Sequence, residues 1–373
     1  MKKRDPKTLT LLAGLALSGF AGVLIAQDQA APAEAAAAEE AAAAEEAAVD
    51  SATSDASVDE AAEPAAAPVK PQPAEIAKLA SRGLLLDVTN SGKHLFAVGD
   101  RGTLLVSNNA RDWAQVQTPV RSALTGITFA DETIGYAVGH DAVILKTSDG
   151  GKTWVLQNFQ PELEKPFLAV LTLDADNVIA LGAYGLMYRT SDGGTTWNEV
   201  DAPAIREEEL HLNGIAKLGN GSLLVVGEQG TMGLLGDSGG SWEKLTSPYD
   251  GSLYGAIAVG NEGALIFGLR GNVYRSDNVK AGGWTQVNVD TVASFFGGTA
   301  LPDGGVALVG LAGKVLRLDG AGNPSTVPVT TPQTDANGNT KNKEVTGSFA
   351  SAYAWGGRLI VVGEQGVQAV AIN

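Results

Sequence analysis

The fold is decided by a stretch in the middle of the chain, Ala137-Val-Gly-His-Asp-Ala-Val-Ile-Leu-Lys-Thr-Ser-Asp-Gly-Gly-Lys-Thr-Trp154. It combines an apolar pair followed by glycine, a short apolar run, and a polar turn that ends in tryptophan. Both features recur along the chain. The glycine stands at positions 99, 139, 182, 227, 268, 310 and 363, and the tryptophan at 113, 154, 197, 242 and 284. A period of roughly 42 residues over seven copies indicates a repeat architecture.

Each copy holds four short runs of strand-forming residues, separated by turn residues. In the second copy the runs are Leu124–Phe129, Ile134–Val138, Val143–Thr147 and Trp154–Gln157. Short runs between closely spaced turns are typical of antiparallel sheet. Four strands repeated at this period match a propeller blade. We therefore predict an all-β protein, a seven-bladed β-propeller with four-stranded antiparallel blades.

The last copy has room for only three strands before the chain ends. They are Ser348–Ala354, Leu359–Val362 and Val367–Ile372. Because an open sheet edge invites aggregation, we predict that Ala74–Ser81 supplies the missing outer strand. A polar insertion, Thr330–Lys343, explains the wider spacing before this copy.

Two segments of different character precede the repeats. Residues 1–26 place a basic start before the uncharged apolar run Leu9–Ala26, which predicts a signal peptide or an N-terminal membrane anchor. Residues 27–75 are rich in Ala, Glu and Pro and predict a disordered linker. The propeller is predicted over 76–373. We expect an exported, periplasmic protein, with residues 9–26 as an inner-membrane anchor if the signal is retained.

Composition excludes several classes of function. The chain has no cysteine, which rules out disulfides and thiolate chemistry, and only three histidines, far apart in sequence. Its net charge of −16 argues against nucleic acid as a partner. An EF-hand-like start at Asp335 lacks the glycine and the final glutamate that calcium loops need. We therefore predict no cofactor and no metal site, and we expect a monomer.

The polar turn that ends in tryptophan is the Asp-box, or BNR, motif. The motif is complete in the second and third repeats, as Thr147–Trp154 and Thr190–Trp197, and the fourth repeat keeps part of the pattern. A carboxylate here accepts backbone N–H bonds across the turn, and the glycines permit positive φ. We interpret the motif as structural, with the residues Asp149, Trp154, Asp192, Trp197, Asp237 and Trp242.

Asp-boxes also occur in sialidases, so a glycan-acting hydrolase or a carbohydrate-binding module is the alternative function. A sialidase would need an arginine triad, a tyrosine nucleophile with its glutamate, and an early Arg-Ile-Pro segment. No Arg-Ile-Pro occurs in this chain. His140 beside Asp141 could act as a base with an orienting acid, but no serine or cysteine nucleophile is identifiable nearby. We therefore predict that the protein is not an enzyme.

From about 76 to 373 the chain resembles the photosystem II stability/assembly factor family, seven-bladed propellers with Asp-boxes. The segments Ala137–Leu145, Gly182–Gly185, Ser247–Ser252 and Phe267–Gly271 look like the branch from non-photosynthetic bacteria. The resemblance implies a chaperone that binds a membrane protein or membrane protein complex without catalysis. Members outside photosynthesis are associated with RND-type exporters, which implies an accessory role beside one. No cysteine is present for the lipid signals of photosynthetic members.

The glycine turns are expected to share one rim of the propeller, opposite the Asp-boxes. Some residues between the glycines are poor turn formers, and tyrosine and arginine are common binding anchors. We weigh a binding face against simple packing on the neighbouring blade. The candidates for a partner-binding rim are Arg101, His140, Asp141, Tyr184, Glu228, Arg270 and Glu364.

Overall fold

The computed structural model describes residues 69–334 and 340–372. Six four-stranded antiparallel sheets and one three-stranded sheet follow one another along the chain. The predicted fold class, a seven-bladed β-propeller, is confirmed. The strands of the second blade lie within one residue of those expected from the sequence. The predicted signal or anchor 1–26 and most of the predicted linker 27–75 fall outside the described residues.

The first four blades are built from sixteen strands. These are β1 (Leu85–Asn90), β2 (Leu95–Gly99), β3 (Leu104–Ser107) and β4 (Ala114–Val116); β5 (Leu124–Phe129), β6 (Gly135–Gly139), β7 (Ile144–Thr147) and β8 (Val155–Asn158); β9 (Phe167–Thr172), β10 (Val178–Gly182), β11 (Met187–Thr190) and β12 (Asn198–Glu199); and β13 (Leu212–Lys217), β14 (Leu223–Gly227), β15 (Met232–Leu235) and β16 (Glu243–Lys244).

The remaining blades are 5, 6 and 7. They contain β17 (Leu253–Val259), β18 (Gly263–Gly268), β19 (Val273–Ser276) and β20 (Thr285–Gln286); β21 (Phe295–Ala300), β22 (Val306–Gly310), β23 (Val315–Leu318) and β24 (Pro324–Thr326); and β27 (Phe349–Trp355), β28 (Arg358–Gly363) and β29 (Gly366–Ala371). The insertion forms a separate hairpin of β25 (Thr330–Thr334) and β26 (Thr340–Glu344). One α-helical turn, α1 (Pro203–Arg206), and short 3-10 turns complete the described chain.

The core lies between neighbouring blades. Every inner strand opens with a large apolar side chain that is fully buried or nearly so, namely Leu85, Leu124, Phe167, Leu212, Leu253, Phe295 and Phe349. The second strand of each blade is buried almost along its whole length. One cluster joins Phe96 of blade 1 to Leu124 and Trp154 of blade 2. Burial against the next blade is what stabilises each otherwise thin sheet.

Every inner strand also carries a β-bulge after its first residue. In blade 1, Leu85 pairs with Gly99 while Asp87 pairs with Val98, which leaves Leu86 as the extra residue. The same register shift occurs in all seven blades. Each blade therefore carries one extra residue at the glycine-turn end of its inner strand, the strand that lines the central channel of a propeller.

The prediction for ring closure is wrong. Blade 7 has only β27, β28 and β29 among the described residues, and Ala74–Ser81 is not a strand. Ala74 lies against blade 1 instead, where its N–H donates to Thr118 O at 3.0 Å. Gln115 Oε1 accepts from Ala77 N at 2.8 Å, and its amide donates to Glu75 O. Blade 1 thus satisfies the polar groups that pairing with blade 7 would have satisfied.

The ring closes through its inner strands. Ala80–Arg82 forms a 3-10 turn, and blade 7 packs on blade 1 through a cluster that includes Leu85, Ile360 and Val362. Ser351 Oγ of blade 7 donates to Asp87 Oδ1 of blade 1 at 2.7 Å. Among the described residues, no helix is long and apolar enough to cross a membrane.

Candidate partner-binding face

The rim is formed by the glycine turns that join the second and third strands of the blades. In blades 1, 3, 4, 5 and 6 each is a short 3-10 turn with a non-glycine residue at φ between 51° and 56°, namely Arg101, Tyr184, Gln229, Arg270 and Ala312. One strand separates each of these turns from the Asp-box turn. The two kinds of turn therefore lie at opposite ends of a blade.

The glycine that ends the turn is required by a close approach of backbone in blades 1, 4, 5 and 6. Gly271 has φ +71, and a Cβ there would lie 2.1 Å from the carbonyl oxygen of Thr291 in the connection to the next blade. Gly102 meets Val120 O in the same way at 2.0 Å. The turn thus rests directly on the connection that starts the following blade, which fixes the position of the rim residues.

The two arginines of the rim point away from the core. Arg101 is 88% exposed and lies 3.5 Å from Asp100. Arg270 is exposed, while its backbone N–H donates to Ser294 Oγ at 3.1 Å. A backbone that is held in place and a side chain that is free to reach outward suit a binding anchor.

Tyr184 combines packing with partial exposure. Its ring meets His211 of blade 4 edge to face, with centroids 4.7 Å apart, and its N–H donates to His211 Nδ1 at 3.1 Å. Lys165 Nζ donates to Tyr184 O at 3.3 Å. Tyr184 therefore packs against blade 4 and also keeps some surface exposed for a partner.

The two glutamates of the rim stabilise their own blades. Glu228 Oε2 accepts the N–H of His211, and Glu364 Oε2 accepts the N–H of Ser348, both at 3.2 Å. In each blade, the glutamate that accepts follows the second strand, and the residue whose N–H donates precedes the inner strand. Their main contacts are thus within the fold.

His140 and Asp141 do not form a hydrogen-bonded pair. Asp141 Oδ2 accepts from Ser122 Oγ at 2.5 Å, and its main-chain oxygen accepts from Gln160 N. Burial lowers the pKa of His140, with the charges of Asp141 and Asp100 opposing the shift. A neutral imidazole without an orienting acid lacks the arrangement of a base in a catalytic dyad.

At the opposite end, the two complete Asp-boxes are closed hydrogen-bond systems. Asp149 Oδ1 accepts from Lys152 N and Thr153 N at 3.0 Å, and Oδ2 accepts from Thr153 Oγ1. The hydrogen bond from Thr153, followed by further turn donors, lowers the pKa of Asp149 to about 2. Asp192 has the equivalent bonds to Thr196 and a pKa of about 2.

The tryptophans pack beside these turns. Trp154 and Trp242 are each 6% exposed, and Trp197 is half-buried against Tyr136. The degraded copy differs in its carboxylate. Asp237 is exposed, and no described residue donates to its side chain.

The sequence did not predict a set of bulged residues at the rim end of the seven inner strands, which we call the collar. It consists of the bulged residues Leu86, Thr125, Leu168, Asn213, Tyr254, Phe296 and Ala350. Tyr254 and Phe296 meet edge to face with centroids 5.4 Å apart. Thr125 Oγ1 donates to Phe167 O of the next blade at 2.7 Å. The bulges lie at the rim end, because they pair with the glycine turns.

Asp87 lies on the inner strand of blade 1, and the sequence did not single it out. Its carboxylate accepts from Ser351 Oγ of blade 7 and from Ile127 N of blade 2 at 2.9 Å, so it joins three blades. Burial raises the pKa of Asp87 to about 6, against the lowering effect of these hydrogen bonds. No arginine is among its partners. Within the described residues, no three metal-ligating His, Asp or Glu side chains cluster.

The fold and this face define the class of protein. It is a seven-bladed Asp-box propeller whose collar contains both apolar and polar residues and whose rim carries charges of both signs. A model of the family described as photosynthesis system II assembly factor YCF48 matches residues 105–202 and 161–318, more than half of the chain. The chain belongs to this family. Comparison with curated proteins finds no match.

Solved structures share the architecture. The structure described as YCF48 bound to D1 peptide is 18% identical, with a TM-score of 0.60, covering 82% of this chain and 99% of its own. YCF48 from Cyanidioschyzon merolae is 17% identical, with a TM-score of 0.61, 80% and 98% covered. The WD40 propeller domain of Doa1 is 13% identical, with a TM-score of 0.59, 81% and 96% covered. At these identities the likeness establishes the fold.

Proposed function

We propose that this protein is an exported, non-catalytic scaffold that binds a membrane protein complex and assists its assembly or stability. Membership of an assembly-factor family is the observation that carries the proposal. A relative of the same fold is described as bound to a D1 peptide, so binding a segment of a membrane protein is within the reach of this architecture. The export signal and the periplasmic location rest on residues 1–26 of the sequence.

The face that serves this role in our proposal joins the collar to the rim. Tyr254 and Phe296 offer half-buried aromatic surface beside the channel, and exposed Arg101 and Arg270 flank it. A partly apolar centre with a polar rim is the usual composition of protein interfaces. A partner that is an RND-type exporter fits the family branch suggested by the sequence.

A glycan-acting hydrolase has less support. The partly buried carboxyl of Asp87 is held by a serine hydroxyl and backbone N–H groups, whereas a sialidase site would surround substrate with arginines. His140 and Asp141 lack a mutual hydrogen bond. No observation on the described residues favours catalysis over binding.

Affinity capture tests the proposal. The full-length protein carrying a C-terminal tag is cross-linked in its native membrane, purified, and its partners are identified by mass spectrometry. We expect one membrane protein complex to be enriched over a control with an unrelated exported propeller. Enrichment of soluble glycans or of no membrane protein would contradict the proposal.

A further inference from the structure

Among the residues that the structure describes, no strand pairs with the outer edge of β29, although Gly366 at its start packs against Ser81. β29 runs over six residues, Gly366–Ala371, and carries no charge and no proline. The outermost strands of the other blades have two to four residues, and several contain Glu, Lys or Pro. Short length, charge and proline are the usual protections of an edge. β29 has none of them.

The direction of the unpaired groups follows from the neighbouring hairpin. Gly356 and Gly357 both have positive φ and form a two-residue turn, so Trp355 and Arg358 are the first hydrogen-bonded pair. Hydrogen-bonded pairs then alternate along the strands. The N–H and C=O groups that β28 directs toward β29 belong to residues 359, 361 and 363.

The partners of these groups on β29 are Val370, Gln368 and Gly366. The intervening residues Val367 and Ala369, together with Ala371, direct their N–H and C=O groups away from β28. No described residue hydrogen-bonds to these outward groups. The spacing of every second residue is the pattern that an added antiparallel or parallel strand requires.

A groove runs along this edge. Its volume is about 750 Å³, and residues 327–331, which lead from blade 6 into the β25–β26 hairpin, form the opposite wall. Val370 and Val329 pack in one apolar cluster at its base. Gln368 also lines the groove, and its Oε1 is buried without a hydrogen-bond partner among the described residues. A buried acceptor of this kind needs a donor, which an incoming chain would supply.

Basic side chains are cross-strand neighbours of residues that line the groove, although residues 77–373 together carry a net negative charge. Lys343 pairs across the hairpin with Thr331, which lines the groove, and Lys341 lies two residues away on the same face. Both lysines are exposed. Arg358 is exposed and pairs with Ala371. Arg317 lines the groove and is neutralised by Asp303.

We propose that the open edge of β29 accepts an extended acidic segment of the partner protein as the fourth strand of blade 7. The inference rests on the proposed function, which supplies a partner, and it names the chemistry of the segment that is recognised. Backbone pairing would give affinity, while the lysines of β26 and Arg358 would select carboxylates. Strand addition of this kind is a common mode of peptide recognition.

The test uses the full-length protein and a fluorescein-labelled peptide of about eight residues in which valine and threonine alternate with glutamate. We expect saturable binding by fluorescence anisotropy. Methylation of alternate peptide nitrogens should weaken it about tenfold or more, because it removes strand pairing without changing charge. Equal binding of the methylated and unmethylated peptides, or no saturable binding, would overturn the proposal.

Matched variants locate the site. Lys341→Glu/Lys343→Glu should weaken binding of the acidic peptide about tenfold, whereas Lys152→Glu/Lys217→Glu, which reverses two exposed lysines on other blades, should leave it unchanged. Ala369→Pro removes one outward N–H and should also weaken binding, with the melting temperature as a check of folding. Equal effects of the two charge-reversal variants would contradict the assignment.

The occupant is tested with a single cysteine, since the chain has none of its own. A benzophenone attached to Ala369→Cys should cross-link to the added peptide. A cross-link to residues 27–68 that persists with peptide present would show that the acidic segment of the same chain pairs with the edge. This result would overturn the proposal that a partner protein supplies the strand. Failure of these peptide assays with successful membrane capture would remove this inference and leave the proposed function standing.

Discussion

At the scale of single residues, the Asp-box carboxylates and Asp87 respond to pH in opposite directions. Asp149 keeps its charge because turn donors surround it, and its pKa falls from 3.8 to about 2. Asp87 is enclosed by three blades, and its pKa rises from 3.8 to about 6. The first carboxylate stabilises the folded state in its charged form, whereas the second is stabilised when it holds a proton.

Replacing the Asp-box carboxylate should lower stability and leave partner binding unchanged. Asp149→Ala removes the acceptor of two N–H groups and one hydroxyl. The stabilisation from the depressed pKa is present above pH 4 and is lost as the pH falls toward about 2. Thermal melts of the variant and the wild type should therefore converge on acidification.

The chain offers a matched control for this change. Asp237→Ala alters the same position of a degraded Asp-box, where no described residue donates to the carboxylate, so its melting temperature should match the wild type. Equal losses in Asp149→Ala and Asp237→Ala, or lost binding at full stability, would contradict the structural role of the motif.

Asp87 predicts a pH dependence of the opposite sign. Between about pH 4 and 6 the folded state holds a proton that the unfolded state has lost, so stability falls as the pH rises through this window. Asp87→Asn removes this titration. Guanidinium unfolding at several pH values should show that the wild type loses stability relative to the variant from pH 4 to 7. Parallel curves would show that Asp87 titrates normally.

At the scale of strands and turns, the sequence predicted most of what the repeat determines. The glycine and tryptophan ladders located the strands of blade 2 within one residue, because alternating apolar residues and turn formers reflect burial directly. The collar could not be predicted this way. A bulge shifts register by one residue, and residues as different as Leu86, Asn213 and Phe296 occupy its extra position.

Ring closure shows a second limit. Ala74–Ser81 is predicted to be a strand because blade 7 lacks its outer strand, yet the segment lies against blade 1. Its partners there are the side chains of Gln115, Gln117 and Arg121. A pattern of strand-forming residues does not indicate such contacts. From the sequence alone, these polar residues of blade 1 look like ordinary solvent-facing positions.

The glycine turns of the rim should be sensitive to a single added carbon. Gly271→Ala places a Cβ 2.1 Å from Thr291 O in a left-handed conformation, so we expect a loss of about 3 kcal/mol or more. Gly282→Ala has a similar φ, +76, with nothing within 4 Å of the added carbon, and should cost about 1 kcal/mol. Denaturant unfolding of both variants separates the clash from the strain. Similar losses would show that the connection moves aside.

At the scale of the whole molecule, the propeller should be stable without the segment that precedes it. Residues 27–70 are rich in Ala, Glu and Pro and lack an apolar pattern that could pack. Deleting them should change the melting temperature by less than about 2 °C, equivalent to about 1 kcal/mol for a domain of this size. A large decrease, measured by calorimetry, would show that this segment contributes to the fold.

The whole molecule presents two surfaces of different character. The rim and collar form one face with mixed charge and aromatic side chains. The edge of β29 borders a groove that has basic side chains as cross-strand neighbours of its lining residues. The Asp-box turns at the other end are internally satisfied, as the bonds of Asp149 and Asp192 show. A binding scaffold built this way should lose its partner through changes at the first face and keep it through changes at the Asp-box end.

The most direct measurement is cross-linked capture from the native membrane with two folded double variants. Tyr184→Ala/Arg270→Ala changes the rim, and Lys152→Ala/Arg189→Ala changes exposed side chains at the Asp-box end. We predict that the rim variant remains folded but loses most of the captured membrane complex, while the second variant captures as much as the wild type. Undiminished capture by the folded rim variant would contradict this prediction.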